Sequence, residues 1–233
     1  MAHRPKKSLG QHFLRSASAI NAIVASGKVS AADTVLEERF AEQIASGQLK
    51  LIQKDILEFN PALYSLMAGR YKLVANIPYY ITGAIFEKFL GEKNPPSCMV
   101  VLIQKEVATR IVARDGKESI LSISVKAFGT PRITAKVPAS AFRPAPKVDS
   151  AVLCVENISS EKFSGKSTDY FFSVVKSGFA HKRKLLVRNL ESVAHKDAIA
   201  KACAELGIGP KARAEDIAPE LWFSLARVLY CVA

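Results

Sequence analysis

The order of apolar and polar positions divides the chain into a part that alternates strands with helices and a later part that contains helices alone. Short apolar runs predict strands over residues 34–37, 49–53, 72–75, 98–104, 133–137 and 151–155. Patterns with a period near 3.6 residues predict helices over residues 16–27, 38–47, 61–68, 105–114 and 120–128, and one that ends at residue 90. Strands alternating with helices are typical of an α/β fold.

A polar stretch at residues 158–168, rich in Ser and Lys, separates this part from the helical remainder. Beyond it, helices are predicted over residues 170–179, 182–190, 196–206 and 219–232. We therefore expect one domain over residues 1–158, which begins with a basic arm at residues 1–15, and a small all-helical domain over residues 167–233.

The charge of the chain indicates a polyanionic partner. Lys and Arg outnumber Asp and Glu by 33 to 21, which gives a formal net charge of +12 and a pI near 9.6. Such an excess is typical of nucleic-acid-binding proteins, and the clustered basic residues are candidates for contacts with RNA. A surface excess that serves only solubility is the alternative. The basic residues that we single out are Lys6, Lys7, Lys147, His181, Lys182, Arg183, Lys184 and Arg188.

The cysteines are scattered at positions 98, 154, 203 and 231, without zinc-ligand spacing, so we expect reduced, buried thiols. No apolar run reaches transmembrane length, and Gly10 and Gln11 interrupt the segment where a signal-peptide core would lie. We therefore expect a soluble, cytoplasmic monomer without a metal or a membrane partner.

The most informative stretch follows the predicted strand at residues 72–75 and reads Asn76, Ile77, Pro78, Tyr79. Proline ends a central strand, and the carboxyl end of a strand is where an open α/β sheet binds ligands. The Asn76 side-chain oxygen and the Ile77 carbonyl could accept the two hydrogens of an exocyclic base amine and favour a tetrahedral, nucleophilic nitrogen. Tyr79 could stack on the base. The alternative is a turn with a packed tyrosine.

Two further stretches leave the same choice between function and packing. The loop 142–150 contains two prolines, Pro144 and Pro146, and is predicted to be too proline-rich for helix or sheet. It would hold Phe142 stiffly, either against a ligand or as a plug of the core. The basic run at 181–184 is either a solvated face or a surface that follows a phosphate backbone.

Taken together, the chain resembles the ribosomal RNA adenine dimethyltransferase family over nearly its whole length. N-I-P-Y alone would be a weak signal, whereas the ordered set is specific. The matching strings, in the order of the family, are K-K-S-L-G-Q-H-F-L, D-I-L-E-F, N-I-P-Y-Y-I-T, L-I-Q-K-E-V-A-T-R-I-V-A, V-P-A-S-A-F-R-P-A-P-K-V-D-S-A-V, F-A-H-K-R-K-L-L-V-R-N-L and G-I-G-P-K-A-R-A-E-D-I-A.

The resemblance implies a Rossmann-like class I methyltransferase domain followed by a small all-helical domain. It implies methyl transfer from S-adenosylmethionine to the 6-amino groups of two adjacent adenines in small-subunit rRNA, within an assembling 30S-type particle. It also implies residue roles. Cofactor binding falls on His12, Leu14, Asp55 and Asn76, and the base pocket on Asn76, Ile77, Pro78, Tyr79 and Phe142, with the Phe142 ring opposing that of Tyr79. His12 stands where the family often has asparagine.

One departure from the family is large. After V-L-E at residues 35–37, family members continue with a glycine-rich turn, a helix and a strand that ends in an acidic, ribose-binding residue. Here the chain passes directly into E-R-F-A-E at residues 38–42. Either this sequence omits a block that the natural protein contains, or the molecule lacks it and cannot bind the cofactor in the usual way. The first is favoured, since the loss would expose apolar sheet. Glu37 or Glu38 is a poor substitute for the missing acid.

Three functions remain open on the sequence. The leading one is an rRNA adenine dimethyltransferase. The second is a non-catalytic RNA-binding or ribosome-assembly protein that keeps the fold. The third is a DNA adenine methyltransferase, which would share the amine-binding turn but is disfavoured by the Phe142 loop and the C-terminal strings.

Overall fold

The computed structural model describes residues 13–14, 46–50, 52, 54–113, 115–163 and 168–231. The described strands are β1 (Phe13–Leu14), β2 (Lys72–Asn76), β3 (Cys98–Gln104), β4 (Thr130–Val137), β5 (Phe142–Arg143) and β6 (Ser150–Glu156). The described α-helices are α1 (Thr82–Gly91), α2 (Lys105–Val112), α3 (Ile120–Phe128), α4 (Thr168–Gly178), α5 (Leu186–Asn189), α6 (Lys196–Glu205) and α7 (Pro219–Tyr230). The predicted strand at residues 34–37 and the predicted helix at 16–27 lie outside the described residues.

Four strands form a mixed sheet in the order β2–β3–β6–β4. β2 and β3 are parallel and are connected through α1, whereas β6 runs antiparallel to both β3 and β4. In both β3 and β6, every residue except the last is buried. Continuous burial of this kind explains why these strands read as unbroken apolar runs.

The chain divides into two compact units. The first contains residues Met1–Ala108 and Gly129–Ser159, and the second contains Thr109–Phe128 and Ser160–Ala233. α3 therefore belongs to the second unit together with the C-terminal helices. The domain boundaries expected from the sequence, 1–158 and 167–233, stay a prediction.

Aromatic packing holds the second unit together. Trp222 of α7 is fully buried, and Phe171 of α4 stacks on Phe223 of α7 with ring centroids 4.5 Å apart. Phe163 contacts both of these phenylalanine rings, at 5.3 Å in each case. No helix in the described part of the chain is long and apolar enough to cross a bilayer.

Several predicted elements are wrong in extent. At Leu49, Lys50 and Ile52, the described positions of the strand expected over 49–53, there is no strand, because no described segment pairs with them. The helix expected over 61–68 is a 3-10 turn, Pro61–Tyr64, which stops because Ser65 adopts a left-handed conformation with φ 59°. The helix expected over 105–114 ends at Val112, since Ala113 has φ 52°.

The helix expected over 182–190 is limited to α5. The Leu186 N–H donates to the Ala212 carbonyl at 2.9 Å instead of to the carbonyl of Lys182, which a helix beginning at residue 182 would require. The prediction that the loop at 142–150 contains no sheet is wrong at its beginning. Phe142 and Arg143, which precede the first proline, form β5 and pair with β1. Of the four cysteines, Cys231 is exposed, which corrects the expectation that all are buried.

Gly178, the last residue of α4, tests the packing of the second unit. A Cβ atom there would lie 2.9 Å from Trp222 Cζ3 and closer still to Cη2. We expect Gly178→Ala to lower the free energy of unfolding by about 1–3 kcal/mol, because the indole is buried and cannot move aside. Urea unfolding followed by tryptophan fluorescence measures this.

Gly91→Ala is the matched control, since Gly91 also ends a helix but has open space around its Cα. It should leave stability unchanged or raise it by up to about 1 kcal/mol. Equal effects of the two substitutions would contradict the packing described for Trp222.

Candidate functional site

The segment 76–79 forms a turn at the carboxyl end of β2. Asn76, the last strand residue, is exposed, and Ile77 is buried. Pro78 is extended, with φ −58° and ψ 134°, and the 3-10 turn Tyr79–Ile81 then leads directly into α1. The proline therefore ends the strand, and the next residues turn the chain at the sheet edge.

Tyr79 is held at two points. Its Oη lies 2.8 Å from Ser150 Oγ in a hydrogen bond that either hydroxyl can donate. Its backbone carbonyl accepts a hydrogen bond from the Thr82 hydroxyl at 2.8 Å, and Thr82 is buried. The ring thus has a fixed backbone at one end and a fixed hydroxyl at the other.

Sequence reasoning missed two residues at this turn. Ser150 is the first residue of β6, and no sequence signal separates it from any other strand-initiating serine. Tyr80 follows Tyr79 directly and is 74% exposed, in contrast to its neighbour. An exposed large aromatic ring beside this turn is a candidate contact surface for a base.

Phe142 lies in an apolar cluster on one face of the sheet and is only 3% exposed. Its neighbours in the cluster are Cys98, Val100, Leu102, Val137, Val152 and Cys154. This burial agrees with the interpretation in which Phe142 plugs the core. Its role as a wall of a base pocket, opposite the Tyr79 ring, stays a prediction.

The strand register places Asn76 and Ser150 on the face that Phe142 covers. Asn76 pairs with Leu102, and Leu102 pairs with Val152, so these three side chains share a face. Ser150 lies two residues before Val152 and therefore points the same way. The amide, the serine that holds Tyr79, and the buried phenylalanine are thus brought to one side of the sheet.

Asp149 fixes the end of the loop that carries Phe142. Its Oδ1 accepts the Ala139 N–H at 3.1 Å, and its carbonyl accepts the Lys105 N–H at 3.0 Å. The loop is therefore tied to the segment before Phe142 and to the beginning of α2. Arg143–Pro144 is a cis peptide bond.

The cysteine pair in the cluster beneath Phe142 is not a reactive site. Cys98 Sγ and Cys154 Sγ lie 3.7 Å apart. The hydrogen bond to Cys98 and burial both raise the pKa of the Cys154 thiol, so it stays protonated. The pair acts as apolar packing.

The predicted cofactor residues are described only in part. Asp55 is exposed and begins a turn, with its Oδ1 accepting the Leu57 N–H at 2.8 Å, which leaves the second oxygen of the carboxylate as a further acceptor. Leu14 lies in β1, whose backbone pairs with β5 in the register Leu14↔Phe142. His12 lies outside the described residues.

The predicted RNA-contacting residues fall in different parts of the chain. Lys147 is exposed in the first unit, and His181–Lys184 and Arg188 are exposed in the second. In the second unit, the Asn189 side chain holds the backbone at His181, because its Nδ2 donates to the carbonyls of Gly178 at 2.6 Å and His181 at 3.1 Å. Lys6 and Lys7 lie outside the described residues.

Comparison with known proteins decides the family. The profile of the family "Ribosomal RNA adenine dimethylase" matches residues 38–230. The chain belongs to this family. A small subunit rRNA methyltransferase A from Dehalococcoides mccartyi strain CBDB1 is 35% identical over 95% of this chain and 87% of its own length. The protein of the same name from a Nostoc species is also 35% identical, over 97% of this chain and 98% of its own length.

Solved structures show the same fold. The 23S rRNA methyltransferase ErmE is similar with a TM-score of 0.70, covering 94% of this chain and 99% of that one at 20% identity. A dimethyladenosine transferase from Plasmodium falciparum gives a TM-score of 0.74, covering 92% of this chain and 96% of that one at 20% identity. The expected Rossmann-like methyltransferase fold with a helical C-terminal part is confirmed.

The rRNA adenine dimethylase family consists of S-adenosylmethionine-dependent methyltransferases, so membership favours the enzyme over the non-catalytic alternative. The comparison also bears on the missing block. The family match begins at residue 38, directly after the V-L-E string. The alignment to the Dehalococcoides relative runs over 254 positions, more than the 233 residues of this chain, so at least 21 positions face no residue here.

Phe142 generates a prediction about stability. Phe142→Ala should lower the free energy of unfolding by about 3–5 kcal/mol, because it opens a cavity in the apolar cluster. Phe142→Leu should cost less than about 1.5 kcal/mol, since most of the volume remains. Urea unfolding of both variants measures the difference.

The neighbouring exposed residue supplies the control, because Arg143→Ala removes a side chain outside the cluster. It should change stability by less than about 0.5 kcal/mol. A cost of Phe142→Ala as small as that of Arg143→Ala would show that the ring does not pack as described.

Proposed function

We propose that this protein transfers methyl groups from S-adenosylmethionine to the 6-amino groups of two adjacent adenines in small-subunit rRNA. The observation that carries the proposal is the turn after β2, where an exposed amide and a doubly held tyrosine follow the strand end. Membership in the rRNA adenine dimethylase family supports the same substrate class.

The chemical task is to make a poor nucleophile attack. The lone pair of the adenine amine is delocalised into the ring, and the nitrogen must become tetrahedral for that pair to be available. The Asn76 side-chain oxygen and the Ile77 carbonyl accept its two hydrogens and favour that geometry, which stabilises the transition state more than the ground state. Tyr79 stacks on the base and orients the amine.

The cofactor residues on this chain are Leu14, Asp55 and Asn76, with His12 from the preceding segment. The exposed Asp55 carboxylate and Asn76 amide are acceptors that fit the amino groups of the cofactor. S-adenosylmethionine held by these residues would supply a methyl group already activated by its sulfonium. The proton released by the amine leaves past the Asn76 and Ile77 oxygens to water, so no general base is required.

Two parts of the family's usual cofactor site, the glycine-rich turn and the ribose-binding acid, have no matching residues in this sequence. Between Glu37 and Asp55 the chain contains a single glycine, Gly47, and therefore no glycine-rich turn for close backbone approach. The family's ribose-binding acid also has no counterpart here. This departure is the observation that favours a second candidate, a protein that binds the same RNA without transferring methyl groups.

The RNA partner is small-subunit rRNA in an assembling 30S-type particle, and we place the protein in the cytoplasm as a monomer. The basic turn His181–Lys184, with Arg188 and Lys147, supplies phosphate contacts, which set affinity and register without reading sequence. The Asn189 hydrogen bonds support this role, because they hold the turn on the second unit in one conformation.

Asn76→Ala tests the proposed function. It should lower the rate of methyl transfer by at least about a hundredfold, because one of the two acceptors for the amine is lost. The measurement is the methylated adenosine content of small-subunit rRNA by nucleoside mass spectrometry, with RNA affinity measured in parallel. RNA affinity should stay within about threefold of wild type, since Asn76 is uncharged and is not one of the basic residues assigned to phosphate contacts.

Neutralising the basic turn with Lys182→Ala and Lys184→Ala is the complementary variant. It should weaken RNA binding and reduce the salt dependence of affinity, without changing the rate of transfer from the bound complex. A wild-type protein that binds rRNA but transfers no methyl would establish the second candidate. Preference for a DNA substrate would instead favour the third.

A further inference from the structure

We infer that the Tyr79–Ser150 hydrogen bond controls progress from the first methyl transfer to the second, which makes Ser150 a positioning residue. This inference rests on the proposed function and concerns the same site. It begins from the 2.8 Å contact between the two hydroxyl oxygens, which joins the turn after β2 to the first residue of β6.

Ser150 is a rigid point of attachment. It is fully buried, and it pairs with Gln104 of β3 on one side and with Val137 of β4 on the other. The preceding residue, Asp149, is tied to Ala139 and Lys105. The backbone of Ser150 therefore cannot follow Tyr79 if the ring moves, and the bond restrains the position of the ring.

Without this bond, the Tyr79 side chain could rotate more freely. Its backbone is held by Thr82 and by the 3-10 turn, so the remaining motions are rotations about its two side-chain torsions. Anchoring the hydroxyl, which lies at the far end of the ring, restricts the rotation about the Cα–Cβ bond, whereas rotation about the Cβ–Cγ bond leaves the hydroxyl oxygen in place. The position of the ring against which a base stacks is set by that anchor.

The two transfers depend on this ring position to different degrees. The unmethylated amine has two hydrogens, and both the Asn76 oxygen and the Ile77 carbonyl can hold it. The monomethylated amine has one hydrogen, so one acceptor loses its partner and faces a methyl group instead. Orientation in the second transfer then depends more on stacking against Tyr79. A loosened ring should therefore slow the second transfer more than the first.

The test is the ratio of N6-methyladenosine to N6,N6-dimethyladenosine over a single-turnover time course on small-subunit rRNA. Ser150→Ala should lower the second rate by about two- to tenfold relative to the first, the size expected for one lost neutral hydrogen bond, so that the monomethylated product accumulates. Tyr79→Phe removes the other half of the same bond and should give the same ratio.

The Ser150→Ala, Tyr79→Phe double variant should be no worse than either single variant, because only one bond is lost in all three. Ser122→Ala is the matched control, since Ser122 is equally buried but hydrogen-bonds Ser119 in the second unit. It should lower stability and leave the product ratio unchanged. A purely structural role of Ser150 would make its variant behave like this control.

Dimethylation with an unchanged product ratio in Ser150→Ala and Tyr79→Phe would overturn the inference alone. Multiplicative effects in the double variant would overturn it as well, because the two residues would then act separately. A wild-type protein that transfers no methyl at all would overturn the proposed function, and the inference with it.

Discussion

The antiparallel pairing of β3 with β6 is the contact on which the first unit depends. Both strands are buried along almost their whole length, and three components of the candidate site, Asn76, Tyr79 and Phe142, are aligned by contacts with them. Asn76 is aligned by the ladder between β2 and β3, Tyr79 by Ser150 at the beginning of β6, and Phe142 by the cluster on their shared face. A site built this way is held by rigid strands although its residues lie in turns.

Much of the fold followed from the sequence where the signal was strong. The strand Cys98–Gln104 and the helix Ile120–Phe128 agree with their predicted bounds, since long apolar runs and clear periodicity reflect burial. Predictions failed where long-range hydrogen bonds outweigh the local pattern. The helix predicted from residue 182 begins only at Leu186, whose N–H bonds to the distant Ala212 carbonyl. The Tyr79–Ser150 contact could not be predicted, because 71 positions separate its partners.

The two sides of the candidate reaction are not equally represented in this chain. The side proposed to receive the methyl group, with Asn76, Pro78 and Tyr79, forms a turn at the carboxyl end of β2 whose tyrosine is held by Ser150. The side proposed to hold the donor includes Asp55, but the sequence between Glu37 and Asp55 has no glycine-rich turn, and the family match begins at residue 38. We therefore expect the two sides to form a working methyltransferase in a chain that also contains the block missing after Glu37.

The most direct test is a calorimetric titration of the natural protein with S-adenosylmethionine, with Asp55→Ala as the comparison. The account predicts saturable binding of one molecule per chain, weakened about tenfold or more in Asp55→Ala, as expected for a lost charge-assisted hydrogen bond. The contradicting result is no saturable binding by a protein that still binds small-subunit rRNA. The fold would then serve RNA binding without catalysis.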